Sequence, residues 1–146
     1  MKVVLQRVLN ASVSIKGEIV GKINRGICLL IGIAESDQPE DVEFVADKCV
    51  NLRIFEDDQG KMNRSLLEVG GEVLAISQFT LLADSRKGRR PSFINAANPQ
   101  KGNDFYNHFM DRIRSHGVHV ESGRFGAMMD IKLTNYGPVT IILEEK

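Results

Sequence analysis

Apolar and polar positions along the chain change their spacing several times, and each change predicts an element. "KVVLQRV" and "SVSI" are short, β-branched runs. Gly17 in "KGE" marks a turn, and "IVGKI" returns as a strand. After "NRG", the run "ICLLIGI" is apolar at nearly every position, the pattern of a central strand buried on both faces. The spacing then becomes helical. Asp37 is the expected N-cap, with Pro39 in the first turn and Glu40 at the capping-box position. Val42, Val45, Ala46, Cys49 and Val50 form one apolar stripe behind it. "LRIFE" predicts a strand and "DDQGK" a turn, and "SLLEVGGEVLAISQF" passes a Gly-Gly turn into another strand. "DSRKGRRPSF" predicts a loop. "NPQKGNDFYNHFMDRIRSHG" predicts a second helix, with Phe105, Phe109 and Ile113 four apart and Gly117 at C′. "VHVES", "DIKLTN" and "VTIILEE" close the chain as strands, the last two joined by a turn at "YGP". The fold expected is a single α+β domain over residues 1–146, a β-rich sheet or partly closed barrel with two main helices packed on it.

Composition narrows the function classes. With 19 basic and 19 acidic residues the formal net charge is zero, which argues against holding long nucleic acid, DNA included, by bulk charge. A cytoplasmic protein is expected. The N-terminal stretch is broken early by Gln6, Arg7 and Asn10, unlike a signal peptide. No apolar run nears the ~20 residues of a membrane span. Cys28 and Cys49 sit in apolar surroundings and read as buried free thiols.

Familiar catalytic patterns are missing. His116 and His119 are separated by a helix-stopping glycine, and no cysteine or carboxylate set completes a metal site. Ser77 lacks a nucleophile elbow, and no phosphate-binding glycine motif occurs. No metal or cofactor is expected. Three other features stand out. Ser77, Gln78 and Thr80 surround Phe79 at the end of an apolar strand, where neutral polar groups need partners. Arg86, Lys87, Arg89 and Arg90 crowd around Gly88. Such charge runs are as a rule solvated, yet this one is also a compact phosphate-binding candidate. Gly137-Pro138 lies between two strands, where a trans turn is the ordinary case, since only ~5–6% of X-Pro bonds are cis.

Taken in order, "SQFTL", "GRRPSF" and "NYGPVT", with "VLQRV" and "FGAMM", resemble the D-aminoacyl-tRNA deacylases along essentially the whole chain. The resemblance implies hydrolysis of the ester joining a D-amino acid, or mischarged glycine, to the 3′-terminal adenosine of tRNA. It implies a homodimer in which a cis Gly137-Pro138 pair enters the partner's pocket and turns its carbonyls to the substrate. Ser77, Gln78, Phe79 and Thr80 would line that pocket, with backbone N–H groups near Phe79 and Thr80 facing a developing oxyanion. Phe125 and Met129 would hold the adenine, Arg7 would fix the Gly-Pro turn, and the basic loop would meet tRNA phosphates. Thr80 as nucleophile would require an activating base. The sequence offers none nearby, which favours assistance by the substrate's ribose 2′-hydroxyl. A non-catalytic RNA-binding module and a hydrolase of small D-amino acid esters are the competing readings.

Overall fold

A computed structural model describes residues 1–145 of the chain. One long strand organises it. β1 (Lys2–Ile15) pairs along one edge with β2 (Glu18–Ile23) and β3 (Gly26–Gly32), and along the other with β8 (Asp130–Glu144). Past β3 come the parallel neighbours β6 (Glu72–Ser77) and β7 (Val120–Ser122). The result is a nearly closed mixed sheet, with the short β4 (Phe55–Glu56) and β5 (Met62–Arg64) forming a separate ribbon.

The two N-terminal runs that the sequence presents as separate strands are one strand with a fault in it. Val3 and Leu5 face the core under the helices, whereas Ala11 and Val13, also odd-numbered, face the second core. Strict alternation would put all four on one face. The switch occurs at the exposed Leu9 and Asn10, where the pairing with β8 changes register, so an extra residue turns the strand over.

β3 is central and buried on both faces, as its apolar run predicts. Ile27, Leu29 and Ile31 join one core, while Cys28 joins the other. Both cysteines are free and buried; burial pushes the Cys28 thiol up to about 12 and raises that of Cys49 as well.

The helices α1 (Pro39–Asn51) and α3 (Pro99–Arg114) pack on the first core. The stripe of α1 is buried as expected, but its cap is Gln38 rather than Asp37. The Asp37 carboxylate is buried and accepts from the Ala34 amide at 2.7 Å, and Asp41 supplies the carboxylate that accepts from the Gln38 amide at 2.8 Å. Gly117 also stands one place later than expected. Ser115 is the C-cap, and Gly117 follows His116 with φ +82°. A four-residue helix, α2 (Leu66–Val69), adds to the two predicted ones; its cap is a reciprocal pair between Ser65 and Glu68. No helix among the described residues is long and apolar enough to cross a membrane.

Candidate active site

The polar cluster after β6 forms where the strand leaves the sheet. Val73–Ile76 are buried, and the Gln78 amide makes the last ladder bond, to Ile31 O at 2.8 Å. The chain then coils into a single 3-10 turn, Phe79–Leu82. That turn lies close against the end of β3 because Gly32 has no side chain: a Cβ there would stand 2.5 Å from Leu82 Cδ2. Gln78 Nε2 donates to Thr80 Oγ1, so two of the polar groups satisfy each other across the turn. Phe79 and Thr80 open the turn, and the first amides of a helical turn have no acceptor within it.

Phe125 to Met129, with Ile131, form the opposite wall of a cavity of about 390 Å³. The Phe125 ring lies against α3, where a Cβ on Gly102 would meet its Cζ at 3.3 Å, and 6.3 Å from the ring of Tyr106. Tyr106 OH donates to Ala75 O at 2.7 Å, tying α3 to the strand that delivers Ser77; burial pushes this phenol up to about 12. Met129 packs against the second core. Ser77, Gln78, Phe79, Thr80, Phe125 and Met129 therefore line one cavity, and none of the residues lining it carries a titratable side chain.

Gly137 and Pro138 are elsewhere. Expected as a turn between two strands, they form a loop within the single strand β8. Gln6 pairs with Thr140 and Val8 with Asn135, so Tyr136–Val139 bulge out opposite Arg7 alone. The Gly137-Pro138 bond is cis. Arg7 is 4% exposed, an unusual place for a guanidinium, and two of its nitrogens donate to backbone carbonyls: Nε to Tyr136 O at 2.8 Å and Nη1 to Ile54 O at 2.7 Å. Its Cζ also lies over the Tyr136 ring, 4.8 Å from the centroid. Ile131, at the cavity, pairs with Val13, six positions along β1 from Arg7. At ~3.3 Å per residue the loop stands about 20 Å along the strand from that wall.

The basic loop begins just after the 3-10 turn that lines the cavity. It is closed by reciprocal backbone bonds between Asp84 and Ser92, at 2.8 and 2.9 Å. Just beyond the closure, Phe93 meets Phe79 edge-on, with ring centroids 5.1 Å apart. Arg86 is held by both oxygens of Asp84, at 2.9 and 2.7 Å. This pairing lowers the carboxyl of Asp84 and raises the guanidinium of Arg86. Lys87, Arg89 and Arg90 are exposed and have no ion-pair partner among the described residues. His116 turns instead to Asp47 at 2.8 Å, and His119 to Glu121 at 2.9 Å.

Three residues at these features escaped the sequence reading. Phe93 and Asn135 lie inside the motifs "GRRPSF" and "NYGPVT", which offered the signal. Tyr106, on the apolar face of α3, offered only a hydroxyl in need of a partner.

Known proteins match this architecture along its length. The family model described as D-Tyr-tRNA(Tyr) deacylase matches residues 4–144. A D-aminoacyl-tRNA deacylase of Bacillus cytotoxicus is 57% identical over 146 residues, covering all of both chains. One from Brevibacillus brevis is 56% identical over 144 residues, 99% of each chain. Among solved structures, one titled c-Myc DNA Unwinding Element Binding Protein superposes with TM-score 0.93 at 41% identity, covering 100% of this chain and 99% of its own. A probable eukaryotic D-amino acid tRNA deacylase shares the fold with TM-score 0.85 at 19% identity, over 98% of each chain.

Proposed function

Because the chain belongs to the D-Tyr-tRNA(Tyr) deacylase family and is a hydrolase of the ester in D-aminoacyl-tRNA, we propose that its site is assembled from two subunits and selects substrate by exclusion. The observation that carries this reading is the separation within one subunit of the Ser77–Thr80 cavity from the Gly137-Pro138 loop. A cavity of about 270 Å³ does adjoin the loop's base, lined by Arg7, Arg25, Phe55 and Tyr136 among others. It holds none of the Ser77–Thr80 groups, and a loop so firmly held and so far from them would serve the cavity of a second copy across a two-fold axis. The polar strand end, the loop and the aminoacyl-tRNA substrate then have one purpose, and they favour the deacylase over a bare RNA-binding module or a small-ester hydrolase. A cytoplasmic place of work follows from that substrate.

In the assembled site, the terminal adenine lies on the apolar surfaces of Phe125 and Met129, which suit a base face. The ester carbonyl points at the amides of Phe79 and Thr80. As water adds to the carbonyl carbon, these donors stabilise the oxyanion, an effect worth ~2.7–4 kcal/mol per donor in another hydrolase. The partner's Gly-Pro carbonyls stand against Cα. Hydrogen fits on that side, so D-amino acids and glycine enter, and the side chain of an L-amino acid is refused. Collapse of the tetrahedral species breaks the ester bond and leaves the proton on the ribose 3′-oxygen.

The cavity lining supplies no base for Thr80, whose hydroxyl accepts from an amide. The substrate's 2′-hydroxyl takes the assisting role, and the chain supplies position and electrostatics. Single-turnover release from D- and L-charged tRNA tests the selection: only the D-charged and glycine-charged forms should be cleaved. Thr80→Ala should retain measurable turnover, and a substrate ending in 2′-deoxyadenosine should fail. Brisk turnover of the deoxy substrate would return the burden to the protein.

A further inference from the structure

The Tyr136–Val139 loop has a neck as well as a base. Arg7 holds the base. Across the neck, Asn135 reaches over the missing part of the ladder. Its Oδ1 accepts from Val139 N at 2.7 Å, and its Nδ2 donates to Val139 O at 3.2 Å and to Thr140 Oγ1 at 3.0 Å. Thr140 Oγ1 is in turn 3.5 Å from Gln6 Nε2 on the neighbouring strand. One side-chain amide thus meets both backbone groups of Val139, as a paired strand residue would. Only an amide presents an acceptor and a donor from one short planar group; a carboxylate keeps the acceptor alone, and a methyl keeps neither.

The geometry points to Asn135 as a positioning residue that sets stereochemical selectivity: by closing the neck it fixes how far, and at what angle, Gly137 and Pro138 project. This rests on the reading of that loop as the wall against Cα. Asn135 touches no substrate. Its effect passes through the loop, and a loosened wall yields to the L side chain it should refuse. A residue that merely supported the fold would, when replaced, lower D and L rates together.

The test measures single-turnover D and L rates for Asn135→Ala, Asn135→Asp and Gly137→Ala in the full-length protein, with thermal melts and oligomeric state recorded. Asn135→Ala should lower the D-to-L ratio about tenfold or more, mainly through a rise in L turnover, on the scale set by losing hydrogen bonds at the neck. Asn135→Asp should fall between it and wild type, because it still accepts from Val139 N. If Asn135→Ala does not fold, the Asp variant decides. An unchanged ratio in the Asn135 variants alongside a shifted ratio in Gly137→Ala overturns this inference alone. An unchanged ratio in all three overturns the reading of the loop as a stereochemical wall, and the inference with it.

Discussion

Two loops interrupt this fold, and they are built in opposite ways. Tyr136–Val139 leaves a strand for four residues and is fastened at base and neck, by a buried arginine and by an asparagine amide. The loop between Asp84 and Ser92 is fastened at its closure and is open beyond it, with Lys87, Arg89 and Arg90 left to solvent. On the proposed reading, the difference follows from what each would recognise. Telling hydrogen from a methyl group at Cα depends on fractions of an ångström, and only a held backbone keeps such a position. Meeting phosphate depends on charge that falls off slowly with distance, and an exposed flexible cation suffices. In the proposed site, the fastened backbone stands where shape would be read and the exposed cations where charge would be read.

Breaking the rigid loop should have the largest effect. A Cβ on Gly137 would stand 2.9 Å from both Arg7 Nη2 and Val139 Cγ2, and φ is +134°, where a side chain is strained. Gly137→Ala should therefore displace the loop and cost about a hundredfold in D-deacylation, the scale of a one-ångström misplacement, with a near-normal circular dichroism spectrum. Arg7→Lys should follow it in direction. A lysine cannot reproduce the fork that serves two carbonyls, so a lowered melting temperature should accompany the reduced rate. Wild-type rates in both variants would show that rigidity here serves no chemistry.

The open loop should respond more gently and through salt. Replacing Lys87, Arg89 or Arg90 by Ala should weaken tRNA binding and reduce the slope of log affinity against log salt by about 0.7–0.9 for each phosphate no longer neutralised. Cleavage of a short aminoacyl-adenosine mimic should hardly change. Arg86→Ala should alter the slope least, because Asp84 already occupies that guanidinium. An unaltered slope in the triple variant would make this loop a solvated surface only.

The smallest effect calibrates the others, in a charged cluster away from both loops. Arg112 grips Asp47 at 2.8 and 2.9 Å, and His116 adds a hydrogen bond at 2.8 Å. The Arg112 hydrogen bond in particular holds the Asp47 carboxyl down at about 2. A carboxyl lowered by folding contributes stability above the ordinary carboxylate range and loses it as pH falls toward that value. Asp47→Asn should thus flatten acid unfolding in that window while leaving deacylation at neutral pH intact. Asp47 is about one-third exposed, so the change should be modest.

The contrast also explains what could be read from the sequence. Buried elements announce themselves through local composition, and β3, the stripe of α1 and the faces of α3 were all legible. The motifs that carry the cavity were legible too, because Ser77, Gln78 and Thr80 are conspicuous in an apolar strand. What failed was anything fixed by pairing at a distance. β1 looked like two strands because the bulge at Leu9 and Asn10 breaks alternation. β8 looked like two because its partner, over a hundred residues away in the chain, is what carries it past the loop. Asp37 satisfied the local rule for a cap but is engaged by the amide of Ala34. Asn135 pairs with Val139, four residues on, an interaction that exists only once the loop has formed.

Subunit complementation tests the central claim, that one subunit's loop completes the other's cavity, most directly. Thr80→Arg, with a side chain long enough to fill the cavity, and Gly137→Ala, with a displaced loop, should each be nearly inactive as purified proteins. In a heterodimer of the two, a trans arrangement joins the intact cavity of one to the intact loop of the other at one site. Mixed under conditions that exchange subunits, they should regain about a quarter of wild-type activity, since half the dimers are then mixed and each has one sound site of two. Heterodimers demonstrated by mass spectrometry yet as inactive as their parents would place cavity and loop in the same subunit, and would contradict the account.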